Sequence, residues 1–203
     1  MPHHDTNSLA ALIGSRICHD LISPIGAVNN GLELLELSGT ASSPELALVA
    51  ESVANANARI RFFRLAFGVA SMDQMTGAEE VTTILKGVYA DGRIKVSDYP
   101  DGSYPRAHVR ATLLALLCAE QAVPYGGQID IDHTQGAWVI RATADRLAPD
   151  PELWSLLQGA YVNQPPVPSA VQFLMLPESA LEIRMNCSVE ITDDKAEIAL
   201  TPV

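Results

Sequence analysis

The chain has 203 residues, 48% of them hydrophobic and 18% charged, enough apolar material for one large domain or two modest ones. Its formal net charge is −11, and residues 1–73 with four basic and seven acidic side chains are acidic like the remainder, so no basic footprint for nucleic acid is present. Three cysteines without paired spacing argue against a disulfide framework and for a reduced, cytoplasmic compartment, and neither a signal peptide nor an apolar run long enough for a bilayer is expected.

Asn7 or Ser8 is a fair N-cap for a first helix predicted to run to about Leu37. Leu9, Ile13, Ile17, Leu21, Ile25, Val28, Leu32 and Leu35 recur at steps of four and three, the signature of one apolar helix face. At about 100° per residue His19 falls opposite that stripe. Its side of the helix also carries Leu12, Ser15, Arg16, Ile22, Ser23, Gly26, Asn30 and Glu33 and is expected to face solvent. Pro24 lies five residues on, inside the pattern. It offers no N–H to the carbonyl of Asp20 and crowds it, so a bend is expected beside the histidine. Ahead of the helix, His3, His4 and Asp5 read as a frayed tail rather than a metal site.

The stretch Ser38 to Pro44 stops this helix and starts the next, with Ser43 as N-cap and Pro44 as first helical residue. Leu46, Val49, Val53, Ala56, Ile60, Phe63 and Phe67 then alternate steps of three and four, the pattern of a seam between packed helices. Two such helices form an antiparallel hairpin that cannot bury both stripes by itself. Two copies joined as a C2 four-helix bundle would cover them; the alternative is a monomer in which the rest of the chain does so. With the turn near Ala41 as mirror, His19 lies level with Phe63. Arg59, Arg61 and Arg64 then surround the histidine, with Arg16 one turn before it. The group suits an acidic partner or phosphoryl oxygens, and solvated surface arginines are the plain alternative.

From Ala78 the period changes. Helices are predicted at about 78–90, 106–123, 151–159 and 168–176, and strands near 93–97, 127–133, 136–144, 181–186 and 195–201, with Asp-Gly at 101–102 and Pro-Tyr-Gly-Gly at 124–127 as turns. The fold class expected is α+β: a helical hairpin over residues 1–75, then a mixed α/β sandwich over residues 76–203. Trp138 and Trp154 read as core, and His108 and His133 have no ligand or nucleophile at useful spacing.

His-Asp-Leu-Ile-Ser-Pro at 19–24 resembles the H-box of two-component histidine kinases, in which an acidic residue follows the phosphorylated histidine and a proline closes the motif. More closely, Ser-Arg-Ile-Cys-His-Asp-Leu-Ile-Ser-Pro-Ile-Gly-Ala with Asn-Asn-Gly-Leu-Glu, supported by Ala-Arg-Ile-Arg-Phe-Phe-Arg-Leu-Ala-Phe-Gly at 58–68, resembles the ChpT family of histidine phosphotransferases. The resemblance implies a homodimer built like a histidine kinase core that has lost ATP binding. The helix over Ala107 to Ala122 lacks the Mg²⁺-binding Asn of the kinase fold, and no Asn occurs between Asn57 and Asn163. Asp145 stands where that fold has an Asp-x-Gly-x-Gly turn, without the glycines, and the last glycine is Gly159, which leaves no phosphate loop beyond it. A Walker A loop is absent.

The expected function is therefore phosphorelay without ATP. The resemblance implies that His19 accepts a phosphoryl group from the receiver domain of a hybrid histidine kinase and passes it to response regulator receivers. An imidazole with its ordinary pKa of about 6.5 keeps a free lone pair near neutral pH. Asp20 is expected to orient the ring or manage its proton, and Ser23, one turn on, to hydrogen-bond the phosphoryl group. Arg16, Ile22, Gly26, Asn29, Asn30, Arg59 and Arg64 are the expected docking surface. No cofactor or metal is expected in the chain, the receiver supplying Mg²⁺. The rivals are an ATP-dependent kinase, against which the missing Asn and glycines count, a pseudo-kinase dimer that docks or sequesters response regulators without carrying phosphate, and a purely structural helical dimer.

Overall fold

The computed structural model describes residues 6–38, 43–90, 92–160 and 166–203. The tail with His3, His4 and Asp5 and the turn at Ala41 lie outside them. Helix α1 (Thr6–Ser38) carries Pro24 in its interior, and α2 (Ser43–Ala66) returns alongside it, in line with the two periodic stripes. The far half of α2 differs from the near half. Phe62, Phe63, Leu65 and Ala66 are buried, because α2 also packs on α3 (Ala78–Tyr89) and α4 (Arg106–Glu120). The hairpin thus stands on the second part of the chain and shares its core.

That second part is a five-stranded mixed sheet covered on one face by helices. Strands β2 (Ile94–Val96), β4 (Gly127–Thr134), β5 (Ala137–Thr143), β6 (Met185–Ile191) and β7 (Lys195–Pro202) lie in the order β2-β4-β5-β7-β6. Only the β2–β4 pair is parallel; Ile131 opposes Ile140, and Ile140 opposes Ile198. Alternation decides the two faces. Ile129, Ile131, Trp138, Ile140, Ala196, Ile198 and Leu200 point to the core, while Arg141 donates across the outer face to Glu197 at 2.7 Å. Helix α4 is buried nearly all round, which explains its run of Leu and Ala without a polar face. At the entry to β4, Gly126 has φ +111°, and a Cβ there would stand 2.8 Å from the Arg93 carbonyl. Only glycine fits that turn.

The C-terminal elements differ from expectation. Helix α5 (Pro151–Leu156) is short, capped by Asp150, which accepts from the Glu152 and Leu153 amides. A 3₁₀ turn at Pro168–Ala170 precedes α6 (Gln172–Glu182), which continues through Pro177 where a strand was expected from 181. The reason is burial: Phe173, Leu176, Ala180 and Ile183 recur at helical spacing and all lie in the core, so packing offsets the donor lost at Pro177. The first C-terminal strand accordingly starts at Met185. Two three-residue strands, β1 (Met75–Gly77) and β3 (Ser103–Pro105), pair antiparallel outside the main sheet. They are too short to show a period of two in sequence. Among the described residues no helix is long and apolar enough to cross a membrane.

Candidate functional site

His19 sits near the middle of α1 with its side chain 80% exposed, as its place opposite the apolar stripe requires. Its Nδ1 lies 3.0 Å from Asp20 Oδ1. A carboxylate only accepts, so the proton of a neutral ring belongs on Nδ1, and the lone pair is left on the outward Nε2. Asp20 is itself fixed. Its Oδ2 accepts from Arg16 Nε at 2.7 Å, and the Arg16 Nη1 donates to the Ser169 carbonyl in the 3₁₀ turn.

This corrects the expectation for Arg16. The residue is 7% exposed, sealed by the second part of the chain against the polar side of α1, and is closed to a partner. The level of α2 beside His19 is also corrected by about one turn. His19, Ser23, Pro24 and Ala27 share a groove of about 430 Å³ with Leu48, Glu51, Ser52, Asn55 and Arg59, so Arg59 rather than Phe63 stands opposite the histidine. The Arg59 Nε donates to Asn55 Oδ1 at 3.0 Å, and Asn55 Nδ2 reaches the Gly87 carbonyl at 3.4 Å. Arg59 makes no ion pair among the described residues. Arg64 lies elsewhere, lining a groove with Ile13, Ile17, Leu21, Ile60 and Phe67. Ile22 is 70% exposed, Asn29 and Asn30 are exposed, and Gly26 faces open space. Glu51 and Ser52 are groove residues that the shifted register hid.

Behind Asp20 the hairpin and the sheet enclose a second cleft of about 310 Å³, lined by Arg16, Asp20, Arg59, Tyr89, Arg93 and Glu120 among others. Tyr89 donates to Glu120 Oε2 at 3.1 Å. Burial pushes the Glu120 carboxyl up from the ordinary carboxylate range, opposed by the nearby Arg16 charge and the Tyr89 hydrogen bond. Among the described residues no three His, Cys, Asp or Glu side chains are grouped to hold a metal ion.

Comparisons with known proteins give the chain its family. Residues 78–195 match the family described as histidine phosphotransferase C-terminal domain. Over 202 residues, 90% of this chain and 91% of the other, the sequence is 32% identical to the protein phosphotransferase ChpT of Brucella abortus (strain 2308). The chain belongs to the ChpT family of histidine phosphotransferases. A solved bacterial phosphotransferase superposes with a TM-score of 0.75 at 31% identity, covering 95% of each chain. For a ChpT-family phosphotransferase the hairpin is the informative part, because it bears the stretch at 19–24 that resembles the H-box and lies outside the matched residues 78–195.

Proposed function

We propose that this chain is a phosphorelay carrier in which His19 takes a phosphoryl group from one receiver aspartate and delivers it to another, without ATP. The observation that carries the proposal is the exposed His19 ring with Nδ1 held 3.0 Å from Asp20. The Nε2 lone pair attacks the phosphorus of an aspartyl phosphate in line; the N–P bond forms as the acyl P–O bond breaks, and the receiver carboxylate departs with the electron pair. The phosphorylated ring keeps its Nδ1 proton and is cationic, and Asp20 offsets that charge. The second transfer is the reverse reaction on another receiver. Ser23 and Arg59 flank the histidine in its groove and are assigned to the phosphoryl oxygens.

In this reading residues 1–75 carry the phosphoryl group and dimerise, and residues 76–203 are a kinase-like domain without nucleotide. The missing Asn of α4 and the missing glycines beyond Gly159 support the ATP-free assignment. The receivers bring their own Mg²⁺, and the setting is cytoplasmic. Ile22, Gly26, Asn29 and Asn30 extend the docking surface on the histidine's side.

The test is transfer of label from a receiver carrying radioactive aspartyl phosphate. The wild-type chain should acquire acid-labile, alkali-stable label, and His19→Ala should acquire none while its melting temperature stays within error, since the ring is exposed. Label on the alanine variant would remove His19 from the mechanism, and receiver binding without label would favour a docking module. Millimolar Mg-ATP should neither label the protein nor raise its melting temperature, although a ligand at a hundredfold excess over Kd stabilises by about 2.7 kcal/mol.

A further inference from the structure

The fate of Arg16 points beyond His19 itself. A guanidinium on the polar side of a surface helix would ordinarily be solvated, and burying it is costly unless it is paired. Here the Nε donates to Asp20 Oδ2 at 2.7 Å, and Nη1 donates to the Ser169 carbonyl. The two acceptors belong to different parts of the fold. Asp20 is on α1 one turn after Arg16, whereas Ser169 lies in the 3₁₀ turn before α6, and its carbonyl is held from its own side by Gln172 Nε2 at 3.0 Å.

We infer that Arg16 is a positioning residue through which the sheet domain fixes the orientation of the His19 ring. The inference rests on the phosphorelay role assigned to His19. A planar guanidinium presents its donors at set angles, so one bound edge dictates where the other points. Anchored on the Ser169 carbonyl, Arg16 pins one oxygen of Asp20, and the carboxylate cannot turn its second oxygen away from His19 Nδ1. The His19–Asp20–Arg16–Ser169 chain is unbroken and comes from a single polypeptide. A second carboxylate, Glu120, lines the cleft with Arg16 without pairing to it within salt-bridge distance, so the guanidinium serves Asp20. In this arrangement the domain that resembles a kinase without its nucleotide site keeps a task in the chemistry: it sets which imidazole nitrogen is nucleophilic.

The test needs no receiver. Imidazole ¹⁵N shifts report the His19 tautomer, and phosphoramidate phosphorylates a free histidine lone pair, the new N–P bond forming as ammonia leaves. Wild type should hold its proton on Nδ1. Arg16→Ala should mix the tautomers and slow phosphorylation about tenfold, the lower end of the loss when the partner that orients a metal-ligating histidine is removed. Asp20→Ala should do the same. Because Arg16 acts through Asp20, the double variant should be no slower than Asp20→Ala alone. Arg16→Lys, whose single ammonium cannot serve both acceptors in fixed geometry, should also lose the single tautomer, and it carries the test if Arg16→Ala fails to fold. A wild-type tautomer and rate in either folded variant, or multiplicative losses in the double variant, would overturn the inference. Failure of the relay reading would appear separately, as absent transfer from a labelled receiver to a wild-type chain whose His19 tautomer is as described.

Discussion

A Cβ built on Gly26 would meet nothing within 4 Å, and the position lies seven residues after His19 on the same side of α1. A side chain there projects into the space that a receiver must enter. Gly26→Arg should therefore block transfer in both directions by excluding the receiver, while the helix gains about 0.5–1 kcal/mol from losing a glycine. Receiver affinity measured on the folded variant decides it, and unchanged binding would place the docking surface elsewhere. A second single-residue prediction concerns His108, whose Nδ1 faces Trp138 Nε1 at 3.4 Å. Burial, and then repulsion from His133, push its pKa below the ordinary histidine value. The folded state thus binds fewer protons than the unfolded one as pH falls through the histidine range, so this contribution to stability is present above that range and lost below it. Denaturant midpoints should drop less for His108→Gln than for wild type between about pH 7.5 and about pH 5, the histidine titration range. Equal drops would assign the acid sensitivity to other groups.

At the scale of elements, α2 has two roles, and only one was legible in the sequence. Its heptad stripe announced a helix, but nothing local announced that Phe62, on the neighbouring face, would be 1% exposed beneath α3 and α4. Phe62→Ala should cost about 3–5 kcal/mol by cavity formation. Because the hairpin base and the sheet domain share that core, the loss should appear as one lowered transition by circular dichroism. Two resolved transitions would show that the parts unfold independently. The same contrast explains what else could be read. Helices α1 and α2, the strands β4, β5 and β7, and the exposed His19 beside Asp20 follow from period and motif. Helix α6 was cut short because Pro177 and the alternation after it mimic a strand start, whereas its burial is a tertiary fact. Arg16 was misread for the same reason, since its carbonyl partner lies 153 residues away. The level of α2 beside His19 slipped by a turn because a mirror point inside a loop of unknown shape fixes register only that finely.

For the whole molecule the open question in the sequence was what covers the hairpin stripes, and the fold divides the answer by height. At the base, Leu9, Ile13, Ile17, Leu21 and Phe67 pack against the core of the same chain. Higher up, Ile25, Leu32, Leu46 and Val53 remain between 43% and 50% exposed, and Ile60, which shares a groove with Ile17 and Leu21 below them, is 51% exposed. A row of large aliphatics on one face of a hairpin exceeds the scattered apolar exposure of an ordinary surface, and a second copy related by a two-fold axis supplies the same row in return. We therefore expect a four-helix dimer through this upper stripe. Val53→Glu with Ile60→Glu should convert it to a monomer by light scattering, with little change in fold because neither side chain is buried within the chain. Dimer affinity should rise with salt, since each copy carries a formal charge of −11 and screening weakens the repulsion. The groove at His19 and the Asp20–Arg16–Ser169 support come from one chain, and His19 lies opposite the stripe. The monomeric variant should consequently still accept label from a phosphorylated receiver. Loss of acceptance by a folded monomer would mean that a helix of the second copy completes the site.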